Sequence, residues 1–469
     1  MLFPTIEFAA FFAVVFAVTW LLNDHNDPKK WFLVAASYLF YSAWNPNYLF
    51  ILFGSSLGNY LLALWMGSLP DGRARKLLLW VGVAANLALL GVFKYFNFFV
   101  ANFANLLTSL GIHANLPFLE VALPVAISFI TFHALSYLID VYRRELKPSK
   151  SLVDILLYIS FFPHLVAGPI VRARDFLNQT THVSKPENIR LAFSVFLILG
   201  GLFKKVIVAN YLSTDFVDGA FQNPSAYSSA DLWLAMYGYA LVIYCDFSAY
   251  TDIAIGIANL LGYQFPQNFN QPYRAFSLQD FWRRWHITLS TWLRDYLYKP
   301  LGGSHYGIAW TYFALMVTML LGGLWHGASW NFVIWGAMHG AALVVERMLG
   351  LTGKDGARRL PPLLAWLVTF HFVCFAWIFF RSQTFDSAID YFRGMFSFQS
   401  LAITITPLVA LMFVFGALTQ IVPARAQERV EAWYDRASLG VKIAIPVIVI
   451  WLIAVASPDG VPPFIYFQF

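Results

Sequence analysis

Two histidines stand in short segments that combine glycine with large aromatic residues. His326 lies in GGLWHGASW (322–330), late in an apolar run, and His339 follows thirteen residues later in WGAMHG (335–340). An imidazole titrates near neutral pH and can remove a proton from a hydroxyl group that attacks a thioester. The residues alone leave two interpretations of His326 open: a general base, or a hydrogen-bonded structural histidine packed against Trp325.

His339 is predicted to lie one membrane span further along, in a supporting or structural role, and Asn331 is grouped with it. No Asp or Glu stands at ligand spacing beside either histidine, so no metal site is predicted. His133, His164 and His371 are isolated in the sequence and are interpreted as structural.

Two carboxylates, Asp246 and Asp252, interrupt the apolar run 231–260. Ionisable groups inside a membrane need partners, and arginine and lysine are the obvious ones. We therefore expect both aspartates to pair with arginines of the segment 274–294. A proton relay, as in a transporter, is the functional alternative.

The segment FSLQDFWRRWHITLSTWLRDYLYKP (276–300) contains aromatic and charged residues in alternation. Its apolar residues recur at steps of three and four, which predicts an aromatic stripe on one face of one helix; they are Trp282, Trp285, Leu289, Trp292 and Tyr296. Arg283 and Arg284 help make it too charged to cross lipid, since each central Arg costs about 2.5 to 3.5 kcal/mol. This helix is expected to lie in the interface, either as a surface anchor or dipping into a protein-lined cavity.

The composition predicts a multi-pass, all-α membrane protein. Of 469 residues, 59% are hydrophobic and only 12% are charged, whereas soluble domains carry about 25% charged residues. The net charge of +6 is interpreted as a topology signal and as contact with anionic lipid, not as nucleic-acid binding. Cys245 and Cys374 both lie in apolar runs, so neither a disulfide nor a cysteine metal site is expected.

Apolar runs that fit spanning helices predict about 11–12 transmembrane helices in one domain, 1–469, with a core at 90–350 and C-terminal helices at 360–460. The runs lie at 3–22, 31–44, 46–66, 77–99, 117–139, 191–212, 231–260, 307–327, 330–349, 362–380, 403–422 and 440–457. The stretch 152–170 holds Pro163, Gly168 and Pro169 and is predicted to enter the membrane and return.

Lysine and arginine are distributed unevenly among the connections between these runs. They collect at 29–30, 73–76, 143–150, 172–190, 274–299, 354–359 and 424–442 and are absent from 100–116, 213–230 and 457–469. The positive-inside rule then places the basic connections in the cytoplasm and both termini outside. The segment 381–402 fits least well, because it is placed outside despite Arg381 and Arg393. Within it, 384–397 is a second amphipathic candidate, interpreted as a surface anchor.

Several long motifs resemble one known family. The block DFSAYTDIAIGIANLLGYQFPQNFNQPYRAFSLQDFWRRWHITLSTWLRDYLYKPLGG (246–303) and GGLWHGASWNFVIWGAMHG (322–340) look like the bacterial branch of the membrane-bound O-acyltransferases (MBOAT) that O-acetylates alginate, peptidoglycan and cellulose. LPVAISFITFHALSYLIDVYR (123–143), FKY (93–95) and the stretch from Phe161 to Pro169 also match. The likeness extends from residue 1 to about 385.

This resemblance implies a catalytic role for His326. Wider relatives place an Asn or Asp where this chain has His286, although His is usual in the alginate-type branch, so catalysis, donor binding and pocket support all stay open for His286. The implied acyl-donor pocket contains Trp282, Arg283, Arg284, Trp285, Trp325 and Asp246. The implied fold is a ring of helices, with re-entrant and amphipathic helices, around a central pocket that is reached from both faces.

The function implied is O-acetylation of an exported or cell-surface polysaccharide, performed in the bacterial inner membrane. Acetyl-CoA is the implied donor, no bound cofactor is expected, and a secreted or membrane-tethered SGNH/esterase-like protein is the implied partner. D-alanyl or longer acyl transfer is the enzymatic alternative. A proton-coupled transporter or flippase is the other class, and the lack of paired half-repeats argues against it.

Overall fold

The computed structural model describes residues 3–119, 123–351 and 360–458, and every regular element in these ranges is helical. The chain divides into two compact units: Met1–Ile189 with Ala258–Phe265, and Arg190–Ile257 with Pro266–Phe469. The predicted all-α class is confirmed.

Nine α-helices lie in the residues of the first unit that the structure describes. They are α1 Ile6–Leu21, α2 Asn26–Ser42, α3 Tyr48–Ser68, α4 Arg73–Leu90, α5 Phe96–Ser109, α6 Ile127–Tyr142, α7 Leu152–Ser160, α8 Phe162–Leu165 and α9 Ala173–Thr180. A π-helical turn, Gly91–Tyr95, joins α4 and α5 into one helix of 37 residues. The break predicted within 152–170 is confirmed, because α7 ends at Ser160 and Phe161 leaves the helical region with ψ of 112°. Entry of this stretch into the membrane stays a prediction.

His133 and His164 are isolated in sequence but not in the structure of the first unit. Their rings lie 4.5 Å apart, centroid to centroid, and both side chains are fully buried. The two histidines therefore pack against each other, and their structural role stays a prediction. His371, in the second unit, contacts the hydroxyl of Tyr237 at 2.9 Å through Nε2.

Thirteen α-helices lie in the described part of the second unit. They are α10 Leu191–Leu202, α11 Asn210–Leu212, α12 Asp218–Gln222, α13 Ser229–Leu260 (whose last turn belongs to the first unit), α14 Leu278–Arg284, α15 Ile287–Leu293, α16 Ile308–His326, α17 Trp330–Met348, α18 Pro362–Arg381, α19 Phe385–Met395, α20 Pro407–Leu418, α21 Ala424–Arg436 and α22 Leu439–Ala456. The π-helical segments Phe203–Ala209 and Ser213–Val217 join α10, α11 and α12, and a third, Arg294–Tyr298, follows α15.

Seven helices in the described ranges are long and apolar enough to cross a membrane, so the prediction of a multi-pass membrane protein is confirmed. They are Tyr48–Ser68, Arg73–Ser109, Leu191–Gln222, Ser229–Leu260, Ile308–His326, Pro362–Arg381 and Leu439–Ala456. Three shorter apolar helices, α1, α6 and α20, also coincide with predicted runs. α13 is the most enclosed of the seven, with 89% of its apolar window buried.

The two carboxylates of α13 pair with lysines, so the expected pairing with arginines of 274–294 is wrong. Lys205 Nζ lies 2.6 Å from Asp246 and Lys204 Nζ lies 2.5 Å from Asp252. α10 packs directly along α13: a methyl group added at Gly201 would come within 2.9 Å of the Ala249 carbonyl oxygen. The chain that continues α10 therefore brings two adjacent lysines to α13.

Arginines of the basic segment have nearer partners of their own. Arg284 pairs with Asp280 at 2.9 Å, and Arg294 pairs with the adjacent Asp295 at 2.9 Å. Both partners lie in the same segment, so these charges are balanced locally and do not need α13.

Helices α16 and α17 form a tight hairpin through glycine. A methyl group added at Gly323 would lie 2.2 Å from the Phe332 carbonyl oxygen, and one added at Gly336 would lie 2.4 Å from the Met319 carbonyl oxygen. Small residues permit this backbone approach between membrane helices. The connection is short because α16 ends at His326, Gly327 is extended, and Ser329 caps α17 by accepting from the Asn331 N–H.

We expect Gly336→Ala to destabilise the hairpin by about 1–3 kcal/mol, because the added methyl group would collide with the backbone of α16. The measurement is the midpoint of thermal unfolding in detergent. Gly200→Ala in α10 is the matched control, since nothing lies within 4 Å of its added methyl group and Ala favours a helix. Equal midpoints for Gly336→Ala and the wild type would contradict the assigned packing.

Candidate active site

His326 is the last residue of α16 and lies in an aromatic enclosure. Its side chain is nearly buried, at 4% exposure. Four rings surround the imidazole, with centroid distances of 4.9 Å to Trp325, 5.1 Å to Trp335, 5.2 Å to Phe380 and 6.5 Å to Phe332. His326 is therefore closely packed by aromatic side chains at the point where α16 ends.

The segment 276–300 is not one continuous helix, so the predicted single aromatic face is wrong. α14 ends at Arg284, Trp285 is extended, and His286 adopts the left-handed conformation with φ of 42° and ψ of 55° before α15 begins. The sharp turn brings both Trp285 and His286 into the protein interior. A left-handed conformation is uncommon for a non-glycine residue and marks a position held by its surroundings.

His286 and His326 are brought together by one indole ring. The His286 ring lies 6.2 Å from the Trp325 ring and 4.7 Å from Phe247 of α13. The Trp325 ring also lies 4.9 Å from the ring of His326. Two imidazoles from separate elements of the second unit therefore border the same side chain.

His286 is kept neutral by its burial. Desolvation lowers its pKa to about 3, because the charged imidazolium loses its hydration in this fully buried position. At physiological pH the ring can therefore accept or donate a hydrogen bond but carries no charge.

Asn268 is the residue of this site that the sequence analysis missed. Its side-chain oxygen lies 3.1 Å from His286 Nδ1 and accepts from the backbone N–H and the hydroxyl of Thr288, at 3.1 and 2.9 Å. The side chain is buried, with 1% exposure. An asparagine in a loop carries no periodicity, and only its place in the motif QNFNQPY (267–273) could have drawn attention to it.

An aromatic cluster extends from His326 to α14. Trp335 contacts both His326 and His339, whose ring lies 4.7 Å from it, and Trp282 contacts Trp335 at 5.8 Å and His339 at 5.2 Å. Trp285 reaches the same cluster through Trp377 at 5.0 Å. In the part of the chain that is described, the indole N–H groups of Trp282 and Trp335 and both ring nitrogens of His339 are buried with no hydrogen-bond partner.

An apolar cavity of about 300 Å³ borders this cluster. Phe372 lines the cavity and also lies 5.4 Å from the ring of His339. Glu346, another lining residue, accepts hydrogen bonds from the backbone N–H groups of Leu278 and Gln279 and so ties α17 to the first turn of α14.

The remaining predicted pocket residues lie at different distances from the two histidines. Asp246 binds Lys205 and precedes Phe247, the neighbour of His286. Arg283 is exposed, whereas Arg284 is half-buried. Asn331 donates to the Ser382 carbonyl oxygen at 2.8 Å and thereby ties the start of α17 to the end of α18.

Comparison with known proteins identifies relatives of the same membrane class. Residues 95–389 match the profile of "MBOAT, membrane-bound O-acyltransferase family". The chain is 40% identical to the "probable alginate O-acetylase" of Pseudomonas aeruginosa, over 85% of this chain and 75% of the relative. It is 39% identical to the "peptidoglycan O-acetyltransferase" of Helicobacter pylori, over 80% and 75%. It is 30% identical to the "teichoic acid D-alanyltransferase" of Bacillus subtilis, over 56% and 69%.

A profile match over more than half of the chain, together with these identities over most of its length, establishes the family. The chain belongs to the membrane-bound O-acyltransferase (MBOAT) family, and it is an O-acyltransferase.

Proposed function

We propose that this protein passes an acetyl group from cytosolic acetyl-CoA across the bacterial inner membrane for O-acetylation of an exported or cell-surface polysaccharide, through a partner protein. The observation that carries the proposal is a pair of buried imidazoles, His326 and His286. The rings of both lie beside the indole ring of Trp325. Two imidazoles beside one indole ring supply proton-transfer groups of the kind that acyl transfer between sulfur and oxygen uses.

The reaction needs one proton acceptor that later returns the proton. His326 takes the proton from the attacking hydroxyl as its oxygen bonds to the thioester carbonyl carbon. The carbon–sulfur bond then breaks, and the imidazolium gives its proton to the departing thiolate, so charge and protons balance. The aromatic enclosure excludes water, which protects the thioester from hydrolysis.

The donor is proposed to reach His326 along the aromatic cluster. The apolar cavity beside Phe372 lies at one end of a series of packed rings that runs from His339 through Trp335 to His326. Trp282 and Trp335 offer buried N–H donors, and the amides and thioester of a pantetheine arm offer acceptors. Arg283 and Arg284, in the last turn of α14, suit the phosphates of the donor.

Acetyl transfer is favoured over D-alanyl transfer by the relatives. The two acetylases each match at least 80% of this chain, whereas the D-alanyltransferase matches 56% at lower identity. The polymer itself is not fixed by this comparison, because alginate and peptidoglycan acetylases match almost equally well.

The acceptor is proposed to be a hydroxyl group on an esterase-like partner on the outer face, docked near 327–331 and the amphipathic helix α19. α19 buries Ala388, Tyr391 and Met395 and exposes Asp386 and Asp390. It is held to the protein because Tyr391 donates to the Leu232 carbonyl oxygen of α13 at 2.6 Å. A fixed helix with one polar face suits a docking role.

We expect His326→Ala to abolish acetyl transfer while the protein still inserts and folds, because the general base is lost. The measurement is the ester-linked acetyl content of the polymer, together with the protein level in membranes. His371→Ala is the matched control, since that histidine also lies in a spanning helix but contacts Tyr237 instead of the site. Normal acetylation in the His326→Ala strain would refute the assignment.

The topology is tested with single cysteines at two exposed serines. Ser225 lies between α12 and α13, and Ser304 lies between α15 and α16. The positive-inside rule predicts that an impermeant maleimide labels Ser225→Cys in intact cells and Ser304→Cys only after the cells are opened. Cys245 and Cys374 are buried, which keeps the background low. The reverse labelling pattern would invert the topology.

Reconstitution tests the need for a partner. The purified protein is placed in liposomes that contain radiolabelled acetyl-CoA, with polysaccharide outside. We expect label on the polymer only when the esterase-like protein is also present outside, and none with the His326→Ala variant. Labelled free polysaccharide in the absence of a second protein would show that this chain is a complete polymer acetylase.

A further inference from the structure

We infer that Asn268 is a positioning residue that fixes the tautomer of His286, with the proton on Nδ1 and the Nε2 lone pair available to the reaction. Nothing in the family assignment specifies this residue. The inference rests on the proposed function only for its activity readout, since the tautomer of the ring is measurable without turnover.

The orientation of the Asn268 amide follows from a backbone donor. The Thr288 N–H points at one atom of the amide at 3.1 Å, and a backbone N–H can only donate. That atom must therefore be the oxygen, because the amide nitrogen is itself a donor. The Thr288 hydroxyl, which lies 2.9 Å from the same atom, donates to it as well.

The orientation of the amide decides the protonation of the histidine. His286 Nδ1 lies 3.1 Å from this same oxygen, and only a protonated Nδ1 can form a hydrogen bond with an acceptor. In a neutral imidazole the second nitrogen then carries the lone pair. His286 Nε2 is buried and has no hydrogen-bond partner among the residues that the structure describes, so it is the nitrogen left for a reactant.

The same loop also holds the unusual backbone of His286. The Asn268 carbonyl oxygen accepts from the Ile287 N–H at 2.9 Å, and the Asn270 N–H donates to the Arg284 carbonyl oxygen at 2.9 Å. The side chain of His286, the N-cap residue of α15, makes no capping hydrogen bond. Asn268 instead accepts from the first two backbone N–H groups of the helix, those of Ile287 and Thr288. Ring orientation and backbone turn are fixed by one residue.

An aspartate at position 268 could accept the same hydrogen bonds at the start of α15. The presence of asparagine there therefore points to a requirement for a side chain without charge. The amide nitrogen of Asn268 is buried without a partner in the described structure, and an unsatisfied donor is costly. A carboxylate would avoid that cost but would stabilise the charged imidazolium beside it. The neutral amide therefore keeps the neutral form of His286.

Among the residues that the structure describes, the rings packed against His286 bring no competing charge. The rings packed against His286 belong to Phe247 on α13, Phe269 on the loop and Trp325 on α16. Asp246 precedes Phe247 in the sequence, and it pairs with Lys205. Arg284 lies two residues before His286, and it pairs with Asp280. Asn268 is thus the polar group that can set the state of this ring.

The test combines nitrogen NMR of the side chains with pH–rate profiles of acetyl transfer. The full-length protein is labelled with ¹⁵N-histidine in detergent, and the signals of His286 are identified by their loss in His286→Gln. We expect a protonated Nδ1 and an unprotonated Nε2 in the wild type. Asn268→Ala should give a mixture of tautomers and lower kcat about 10- to 100-fold, with a smaller change in KM.

Two further variants separate positioning from folding. Asn268→Asp keeps all three acceptor contacts but should raise the pKa of His286, so that the acidic limb of the rate profile moves to higher pH by about 1–3 units. Thr288→Val removes one bond to Asn268 and leaves its oxygen facing His286, so the tautomer and the profile should stay in place.

The outcomes decide the inference independently of the proposed function. Protonated Nε2 in the wild type, or an unchanged tautomer and pH profile in both Asn268 variants, would overturn it. The predicted nitrogen pattern in a protein that does not transfer acetyl groups would uphold the tautomer assignment and refute the proposed function instead.

Discussion

A charged group inside these apolar helices must find its counter-charge within the same chain, because lipid supplies none. The pair of Lys205 and Asp246, both buried, meets this requirement between the continuation of α10 and α13. Leaving either partner alone in an apolar interior would cost about 3–5 kcal/mol. The pair holds the π-helical continuation of α10 against α13, and α13 presents the next residue, Phe247, to His286. The ion pair thus stabilises the part of α13 that packs against His286.

Two further features shape the surroundings of the histidines: the close contact between the backbones of α16 and α17, and the break between α14 and α15. Glycines 323 and 336 let α16 and α17 approach closely enough for Trp335 and Phe332 to enclose His326. The turn at His286 ends α14 early and directs the imidazole inward rather than along a helix face. Membrane proteins tolerate such irregular backbone where the protein itself satisfies the exposed groups, and here Asn268 does so.

The sequence predicted those features that depend on composition and length. The apolar runs coincide with helices because burial in lipid requires about 20 apolar residues whatever the tertiary contacts are. The neighbourhood of His326 was predictable from its glycines and tryptophans. The periodicity of 276–300 predicted one continuous helix, and this was wrong. The spacing of aromatic residues does not show whether a single residue among them, here His286, adopts the left-handed conformation and ends the helix. The partners of Asp246 and Asp252 were misassigned, although two adjacent lysines within the apolar run 191–212 were a visible signal.

The two histidines differ in what surrounds them, because His286 has a polar neighbour in Asn268 whereas His326 packs against the rings of Trp325 and Trp335. Burial lowers the pKa of His286, which favours its neutral form. A neutral imidazole can still direct a lone pair, provided that its tautomer is fixed by a neighbour that carries no charge. Asparagine meets that condition and aspartate does not, since a carboxylate would favour the imidazolium. A directed hydrogen bond at His286 and ring packing at His326 are therefore two different physical means of orienting an imidazole in an apolar interior.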